Sequence, residues 1–385
     1  MQPFRVEIPQ AALDDLNRRL SDVRWPEDLP DVGWDRGVPI SYLKELAEYW
    51  RSDYDWRAAE ARLNGFEQFV DEIDGANVHF LHVRSAEPDA LPVLITHCWP
   101  GSVVEFLDVI GPLTDPAAYG GDPADACHLV IPSIPGFGFS GPSAQTGWNN
   151  LRVGAAWAEL MRRLGYDRYL AQGSDFASGI SLAVAMIDPE HVAGVHLNPL
   201  LTVPSGDPTE LQHLSEPDRE RLDRTERFLR ELAGSMKLLA TKPHTIAYAL
   251  TDSPVGQLAW IVEKFRDWTE SEVPEDTISR DDILTIVSIY WLTGTAGSSA
   301  QFYYENVEQL PITSTTGRYQ PIAAPLAVAV FPHAPFVPIR RFADRDFPTL
   351  SHWSEFDRGG SFAALGAPDL FVEDVQAFCR LVRDR

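Results

Sequence analysis

The spacing of apolar and polar positions divides the chain into stretches with different rhythms. In residues 1–75 apolar residues recur at helical spacing, as Leu13, Leu16 and Leu20 do, which predicts helices. From Val78 short apolar runs alternate with helical stretches, a pattern that favours a mainly parallel sheet with helices on both faces. The strands that these runs predict are Val78–Val83, Leu91–His97, His128–Pro132, Arg168–Gln172, Val192–Leu197, Leu326–Phe331 and His352–Phe356.

Between Pro199 and Leu326 the strand pattern stops and helical patterns take its place. The helices predicted there are Glu210–Lys237, Val255–Trp268 and Arg280–Phe302. We therefore predict an N-terminal helical arm at residues 1–75 and an α/β core at residues 76–200 and 323–385. A helical cap at residues 201–322 is predicted to be inserted into that core.

Composition limits the classes of partner. The 385 residues carry a formal net charge of −24 at pH 7, which repels phosphate backbones and anionic lipid surfaces, so we expect no nucleic-acid or membrane partner. No apolar run reaches the roughly 18 residues that cross a bilayer, and the first residues have no apolar signal segment. The cysteines, Cys98, Cys127 and Cys379, are widely separated, which fits a reducing compartment. We expect a cytoplasmic protein.

Asp175 stands in the most specific local motif of the chain, the run QGSDFA at residues 172–177. An apolar run precedes it and a helical stretch follows it. A strand, a sharp turn and a helix are the context of a nucleophile elbow, which exposes one side chain above the edge of the sheet. An aspartate that only caps the following helix is the alternative interpretation.

Four further runs, taken with this one, are characteristic of one enzyme family. They are FRVEIP at residues 4–9, HCWPGS at 97–102, PGFGFS at 135–140 and SSAQFYYEN at 298–306. The chain resembles an epoxide hydrolase of the microsomal type from Phe4 to its last helix. The resemblance implies an α/β-hydrolase fold, a doubly wound, mostly parallel sheet with an inserted helical cap, and it implies no cofactor. The sequence also has no spacing typical of a metal or nucleotide site.

The resemblance implies a role for several residues. Asp175 is expected to be the nucleophile, Tyr303 to polarise the epoxide, and the backbone N–H groups of Trp99 and Phe176 to form an oxyanion hole. Tyr303 as an ordinary core aromatic remains the alternative. Cys98 replaces a glycine of the family and is either a small buried filler or a reactive thiol. The residues expected to line the substrate pocket are His97, Phe137, Phe139 and Tyr304.

Three positions depart from the family pattern. Ser361 stands where the family has its catalytic histidine, Ala334 where it has the acid that orients that histidine, and Ser235 where it has a second tyrosine. In the family mechanism the aspartate attacks an epoxide carbon to give an ester, and the histidine and acid activate water to cleave that ester. Serine is no base near neutral pH, so His333, the neighbour of Ala334, is the candidate substitute base.

These departures lead to three hypotheses about function. The first is a divergent enzyme that uses Asp175 in non-hydrolytic acid/base chemistry, such as proton transfer, cyclisation, carbon–carbon bond formation or cofactor-free oxygenation, in a natural-product pathway. The second is an epoxide hydrolase with weak or rerouted hydrolysis through Asp175, and the third is a non-catalytic protein that binds a ligand. In each case we expect a bulky, apolar, oxygenated small molecule as the partner. Relatives also suggest a homodimer.

Overall fold

The computed structural model describes residues 1–269, 271–309 and 321–383. Its central element is a nine-stranded sheet, with the strands in the order β1-β2-β3-β5-β4-β6-β7-β8-β9 in the described part of the chain. The strands are β1 (Gln2–Phe4), β2 (Gln68–Ile73), β3 (Ala76–Val83), β4 (Leu91–Thr96), β5 (Cys127–Pro132), β6 (Tyr169–Ser174), β7 (Val192–Asn198), β8 (Leu326–Val330) and β9 (Leu350–Glu355).

The sheet is antiparallel from β1 to β5 and parallel from β5 to β9. Helices cover the parallel strands, so side chains on both faces of these strands are withdrawn from water. All five residues of β8 are buried, which explains why such strands have continuous apolar runs rather than alternating ones. The predicted α/β-hydrolase fold with a doubly wound, mostly parallel sheet is therefore confirmed.

The α-helices connect and cover the strands. They are α1 (Gln10–Ser21), α2 (Ile40–Ser52), α3 (Trp56–Leu63), α4 (Leu107–Thr114), α5 (Asn150–Leu164), α6 (Ala177–Ile187), α7 (Pro208–Leu211), α8 (Glu216–Arg227), α9 (Gly234–Thr241), α10 (Pro243–Asp252), α11 (Pro254–Asp267), α12 (Arg280–Thr293), α13 (Ala296–Glu305), α14 (Arg340–Asp346), α15 (Ala363–Gly366) and α16 (Pro368–Arg383). In the described part of the chain, no helix is both long enough and apolar enough to cross a membrane.

The N-terminal arm is not purely helical, which corrects the prediction for residues 1–75. Both β1 and β2 extend the sheet, with Gln2 opposite Val70 and Ile73 opposite Ala76. Asp74 and Gly75 connect β2 to β3, and both have a positive φ, 51° and 72°. Two such residues form the tight turn that Asp-Gly favours in hairpins, a signal that the apolar periodicity does not contain.

The segment predicted as the cap contains helices α7 to α13, and its described residues form no strand. The single helix predicted at Glu210–Lys237 is wrong, because the structure has three helices there. The break before α8 has a local cause: Ser215 caps that helix by accepting from the N–H of Asp218 at 3.3 Å. A serine cap followed by a proline in the first turn is a start signal for a helix.

Candidate active site

Asp175 occupies the sharp turn between β6 and α6. Its φ is 49°, one of three positive values at non-glycine residues in the described chain, and its backbone N–H donates to the carbonyl of Asn198 at 2.9 Å. A Cβ at Gly173 would lie 2.4 Å from the carbonyl oxygen of Ala177, so the turn is too tight for any side chain there. No side chain caps α6. The backbone geometry is that of an elbow, and the capping alternative is not supported.

The Asp175 carboxyl is poorly solvated although it borders a cavity. Burial raises the pKa of Asp175 from its ordinary value to about 6, and the backbone N–H of Phe176 acts in the opposite direction. Burial disfavours the carboxylate because the surrounding side chains solvate charge less well than water does. A carboxylate with a pKa near 6 is ionised at neutral pH and is more basic than an exposed aspartate.

The cavity beside Asp175 is mainly apolar and aromatic. The residues that line it are Asn150, Asp175, Phe176, Ser178, Gly179, Pro199, Leu201, Phe228, Met236, Trp268, Phe302, Tyr303, Asn306, Pro335 and Phe336. They come from the elbow, the cap and the segment after β8. Asp175 is the one ionised group in this lining at neutral pH, which favours neutral, apolar ligands over anions.

Tyr303 lines the same cavity from α13. Its hydroxyl makes no hydrogen bond that the described residues show, and its ring lies edge-on to Trp99, with centroids 5.7 Å apart. Burial, followed by the charge of Asp175, raises the pKa of Tyr303 well above its ordinary value. The phenol therefore stays protonated at neutral pH and can donate to an oxygen of a bound molecule.

The loop after β4 brings Trp99 to this site. His97 fixes the start of the loop: its Nε2 accepts from the N–H of Ile134 at 3.2 Å, so its Nδ1 carries the proton and donates to the carbonyl of Cys98 at 2.8 Å. Burial lowers the pKa of His97 to about 4, so the ring is neutral. Trp99 and Phe176 both pack against Tyr303, and the structure thus brings together the two residues expected to supply the oxyanion hole.

Glu105 contacts the same loop through Cys98. The sequence analysis did not identify it as a site residue. Its Oε1 accepts from the N–H of Cys98 at 3.2 Å, and the Cys98 thiol lies 3.6 Å from both carboxyl oxygens. Burial raises the pKa of Glu105 to about 8. Burial also raises the pKa of the Cys98 thiol, so Cys98 is a buried thiol rather than a thiolate, which favours the filler interpretation.

Four residues expected to line the substrate pocket are not among those that line the cavity beside Asp175. His97 is a buried link between two loops, as described above. Phe137 lies one layer behind the cavity, 6.3 Å from the Phe176 ring and 5.9 Å from the Phe302 ring between centroids. The Phe139 ring packs against the His79 ring, with centroids 5.2 Å apart. Tyr304 is 52% exposed.

Tyr304 differs from Tyr303 for a geometric reason. Phe302 and Tyr303 both line the cavity. Consecutive residues of an α-helix project about 100° apart, so Tyr304 points about 200° away from Phe302 and faces out of the cavity.

Ser361 lies in a loop that packs against the wall of the cavity. Its N–H donates to the carbonyl of Trp268 at 3.2 Å, and its buried hydroxyl has no hydrogen-bond partner among the described residues. Ala334, 1% exposed, directly precedes the cavity residues Pro335 and Phe336. These two of the three positions that depart from the family pattern therefore lie next to the cavity.

The candidate substitute base, His333, and the third departure from the family pattern, Ser235, lie beside the same region. His333 is half-buried, and its N–H donates to the carbonyl of Gly359 at 3.0 Å. It is close to the Ser361 loop but does not line the cavity described here. Ser235 lies in the first turn of α9, directly before the cavity residue Met236.

Three aromatic residues of the cavity wall were not identified from the sequence: Phe228, Trp268 and Phe336. Ordinary apolar periodicity does not distinguish a pocket wall from the core.

Comparison with known proteins identifies the family. Residues 1–106 match the family model described as epoxide hydrolase N terminus, and residues 92–235 match the one for the alpha/beta hydrolase fold. The chain is 46% identical over 382 residues, 99% of its length and 85% of the relative, to a Stigmatella aurantiaca protein provisionally named an epoxide hydrolase. It is 34% identical to epoxide hydrolase 1 of Sus scrofa, covering 100% of the chain and 90% of the relative. The chain belongs to the epoxide hydrolase family.

Structural similarity agrees with this assignment. The Aspergillus niger epoxide hydrolase superposes with a TM-score of 0.86 at 30% identity, over 99% of this chain and 96% of that one. No group of three or more potential ligands for a metal ion occurs among the residues that the structure describes. This epoxide hydrolase family member thus combines an elbow aspartate, a protonated phenol and an apolar cavity in one site.

Proposed function

We propose that this protein opens the ring of neutral, apolar epoxides by attack of the Asp175 carboxylate. The observation that carries the proposal is the placement of Asp175 and Tyr303 on the walls of one aromatic cavity. An oxygen of the carboxylate forms a bond to a ring carbon while the bond from that carbon to the epoxide oxygen breaks. Tyr303 donates a hydrogen bond to the leaving oxygen and transfers its proton, which gives a hydroxyalkyl ester of Asp175.

The developing alkoxide explains why a protonated phenol suits this step. The pKa of Tyr303 is raised, so the tyrosinate formed after transfer is a strong base that regains a proton from solvent. The apolar lining suits a bulky aryl or alkyl epoxide, because burial of apolar surface contributes most of its binding free energy. The epoxide hydrolases among the relatives support this reaction class for the chain.

The second half of the reaction is proposed to be slow. Cleavage of the ester needs a base to activate water, and position 361 carries a serine whose hydroxyl has no described partner. Ala334 cannot orient a histidine. In this proposal the ester persists unless another group, with His333 the first candidate, activates water.

A second candidate function is non-hydrolytic acid/base chemistry on an oxygenated apolar molecule, such as proton transfer or cyclisation. It is favoured by the pKa of Asp175, about 6, because a group that titrates near neutral pH can both accept and release a proton. In this case Asp175 would not become covalently modified.

One experiment separates these functions. The protein is incubated with styrene oxide and with stilbene oxide, its intact mass is followed by mass spectrometry, and diol is assayed in the same samples. An increase by the mass of one epoxide, with little diol, is the expected result. Rapid diol release would mean that hydrolysis is complete and that the slow second half is wrong. Unchanged mass without diol across the panel contradicts ring opening and favours the second candidate.

A further inference from the structure

We propose that Ser299 is a positioning residue, which holds the Trp99 side chain so that the oxyanion loop, residues 97–102, keeps a fixed position relative to Tyr303. This inference rests on the proposed function, because Tyr303 and the loop are its working parts.

The inference starts from the hydrogen bond between Trp99 and Ser299. The indole N–H of Trp99 donates to the Ser299 hydroxyl oxygen at 3.2 Å, and both side chains are buried. The Ser299 hydroxyl in turn donates to the carbonyl of Ala296 at 3.0 Å. Because the hydroxyl proton of Ser299 is donated within α13, the hydroxyl oxygen is free to accept the hydrogen bond from the Trp99 indole.

Ser299 stands four residues before Tyr303 on α13, so the two side chains share one face of the helix. The Trp99 ring spans this face, since its N–H reaches Ser299 while its plane meets the Tyr303 ring at 85°. A shift of Trp99 would therefore change the distance between the backbone of the oxyanion loop and the phenol.

A second cap helix restrains the same loop from its other end. The Tyr290 hydroxyl, on α12, donates to the carbonyl of Gly101 at 2.7 Å. With Tyr290 holding Gly101 and Ser299 holding Trp99, the loop is tied to two consecutive helices of the predicted cap. Ring opening needs donors placed within a few tenths of an ångström of the developing charge, so these ties bear on the rate of the step rather than on substrate binding.

The test measures the rate of alkylation of the full-length protein by styrene oxide as a function of its concentration. Ser299→Ala is expected to lower the maximal rate by about tenfold, the effect of one lost hydrogen bond of ordinary strength. The concentration for half-maximal rate should change less than twofold, because the cavity lining is unaltered. Ser299→Thr keeps the hydroxyl and should restore most of the rate.

Ser298→Ala is the matched control. It removes the neighbouring hydroxyl of the same helix, which donates to the carbonyl of Gly136 at 2.5 Å rather than to the oxyanion loop. Its maximal rate should stay within about twofold of the wild type, as expected for a residue outside the reacting groups. Trp99→Phe, which keeps the backbone N–H, should lower the rate as Ser299→Ala does, and the double variant should add little further loss.

Hydrogen–deuterium exchange gives a result that does not depend on the reaction. Ser299→Ala should raise amide exchange in residues 97–102, and Ser298→Ala should not. If neither the exchange of the loop nor the maximal rate differs between Ser299→Ala and Ser298→Ala, the inference is wrong. If the exchange effect appears but the wild-type protein is never alkylated, the proposed function fails while the hydrogen bond still positions the loop.

Discussion

The backbone N–H of Ser361 donates to the carbonyl of Trp268, so the loop after β9 is held against the predicted cap. Gly360 makes this contact feasible, because a Cβ there would lie 2.6 Å from the same carbonyl oxygen. The backbone at residue 361 is thus packed tightly, and only the side chain, a serine in place of the family's histidine, departs from the family pattern.

The close contact at Gly360 predicts a loss of stability in Gly360→Ala. The added methyl group must displace the backbone of Trp268, which we expect to lower the free energy of unfolding by about 1–3 kcal/mol. Gly234→Ala is the control, since nothing lies within 4 Å of its Cβ position. Urea denaturation compares the two, and equal stability of both variants would contradict the close contact.

Restoring both lost groups should restore hydrolysis. In the double variant Ser361→His and Ala334→Glu, the preserved loop presents an imidazole and a neighbouring carboxylate can orient it. We expect the rate of diol formation from styrene oxide to rise by about 100-fold, a typical contribution of a general base. Ser361→His alone should gain much less. A folded double variant that gains no diol would show that water activation is not what the chain lacks.

Ring opening should depend on pH through the carboxyl group of Asp175. Its pKa of about 6 means that the nucleophilic form increases as pH rises through 6. The alkylation rate at pH 5 should be about tenfold below its plateau, since one unit below a pKa about a tenth of the group is ionised. The raised pKa of Tyr303 predicts no decline up to pH 9. A rate that is flat between pH 5 and 8 would exclude Asp175 as the titrating nucleophile.

The buried imidazole of His79 should make the fold less stable in acid. It is fully buried between Ser133 and the Gln68 side chain, each 3.0 Å away, and burial lowers its pKa to about 3. In the unfolded chain the His79 imidazole binds a proton below about pH 6.5, whereas in the folded protein it stays neutral down to about pH 3. The free energy of unfolding therefore falls as pH falls through this range, by about 2 kcal/mol between pH 7.5 and pH 5.

Urea denaturation at these two pH values tests the assignment to His79. Between pH 7.5 and pH 5, the free energy of unfolding should fall by about 2 kcal/mol less in the variant His79→Gln than in the wild type. An identical loss in both proteins would assign the acid sensitivity to other groups.

Much of the fold could be predicted from the sequence because its signals are local. The fully buried strands give continuous apolar runs, as in β8, and the QGSDFA run combines a strand end with a turn that only a glycine at 173 permits. The pairing of β1 with β2 was missed, because it joins residues far apart in the sequence, such as Gln2 and Val70, and no local pattern indicates it.

The candidate site was predicted less completely. Asp175 and Tyr303 stand in motifs that fix both the backbone and the side-chain direction. The motif containing Phe139 fixes the backbone of a loop but not the face on which the ring packs. The cavity wall formed by Trp268 and Phe336 joins segments far apart in sequence, and nothing in their local pattern distinguishes them from core residues.

The central claim is that the Asp175 carboxylate attacks the epoxide, and peptide mapping of the alkylated protein tests it most directly. The wild type and Asp175→Asn are treated with styrene oxide and digested, and the modified residue is located by tandem mass spectrometry. Asparagine is a suitable control because it tolerates the positive φ of this position. The account predicts one epoxide on Asp175 in the wild type and none at that position in the variant. Modification elsewhere, or equal modification of both proteins, would contradict it.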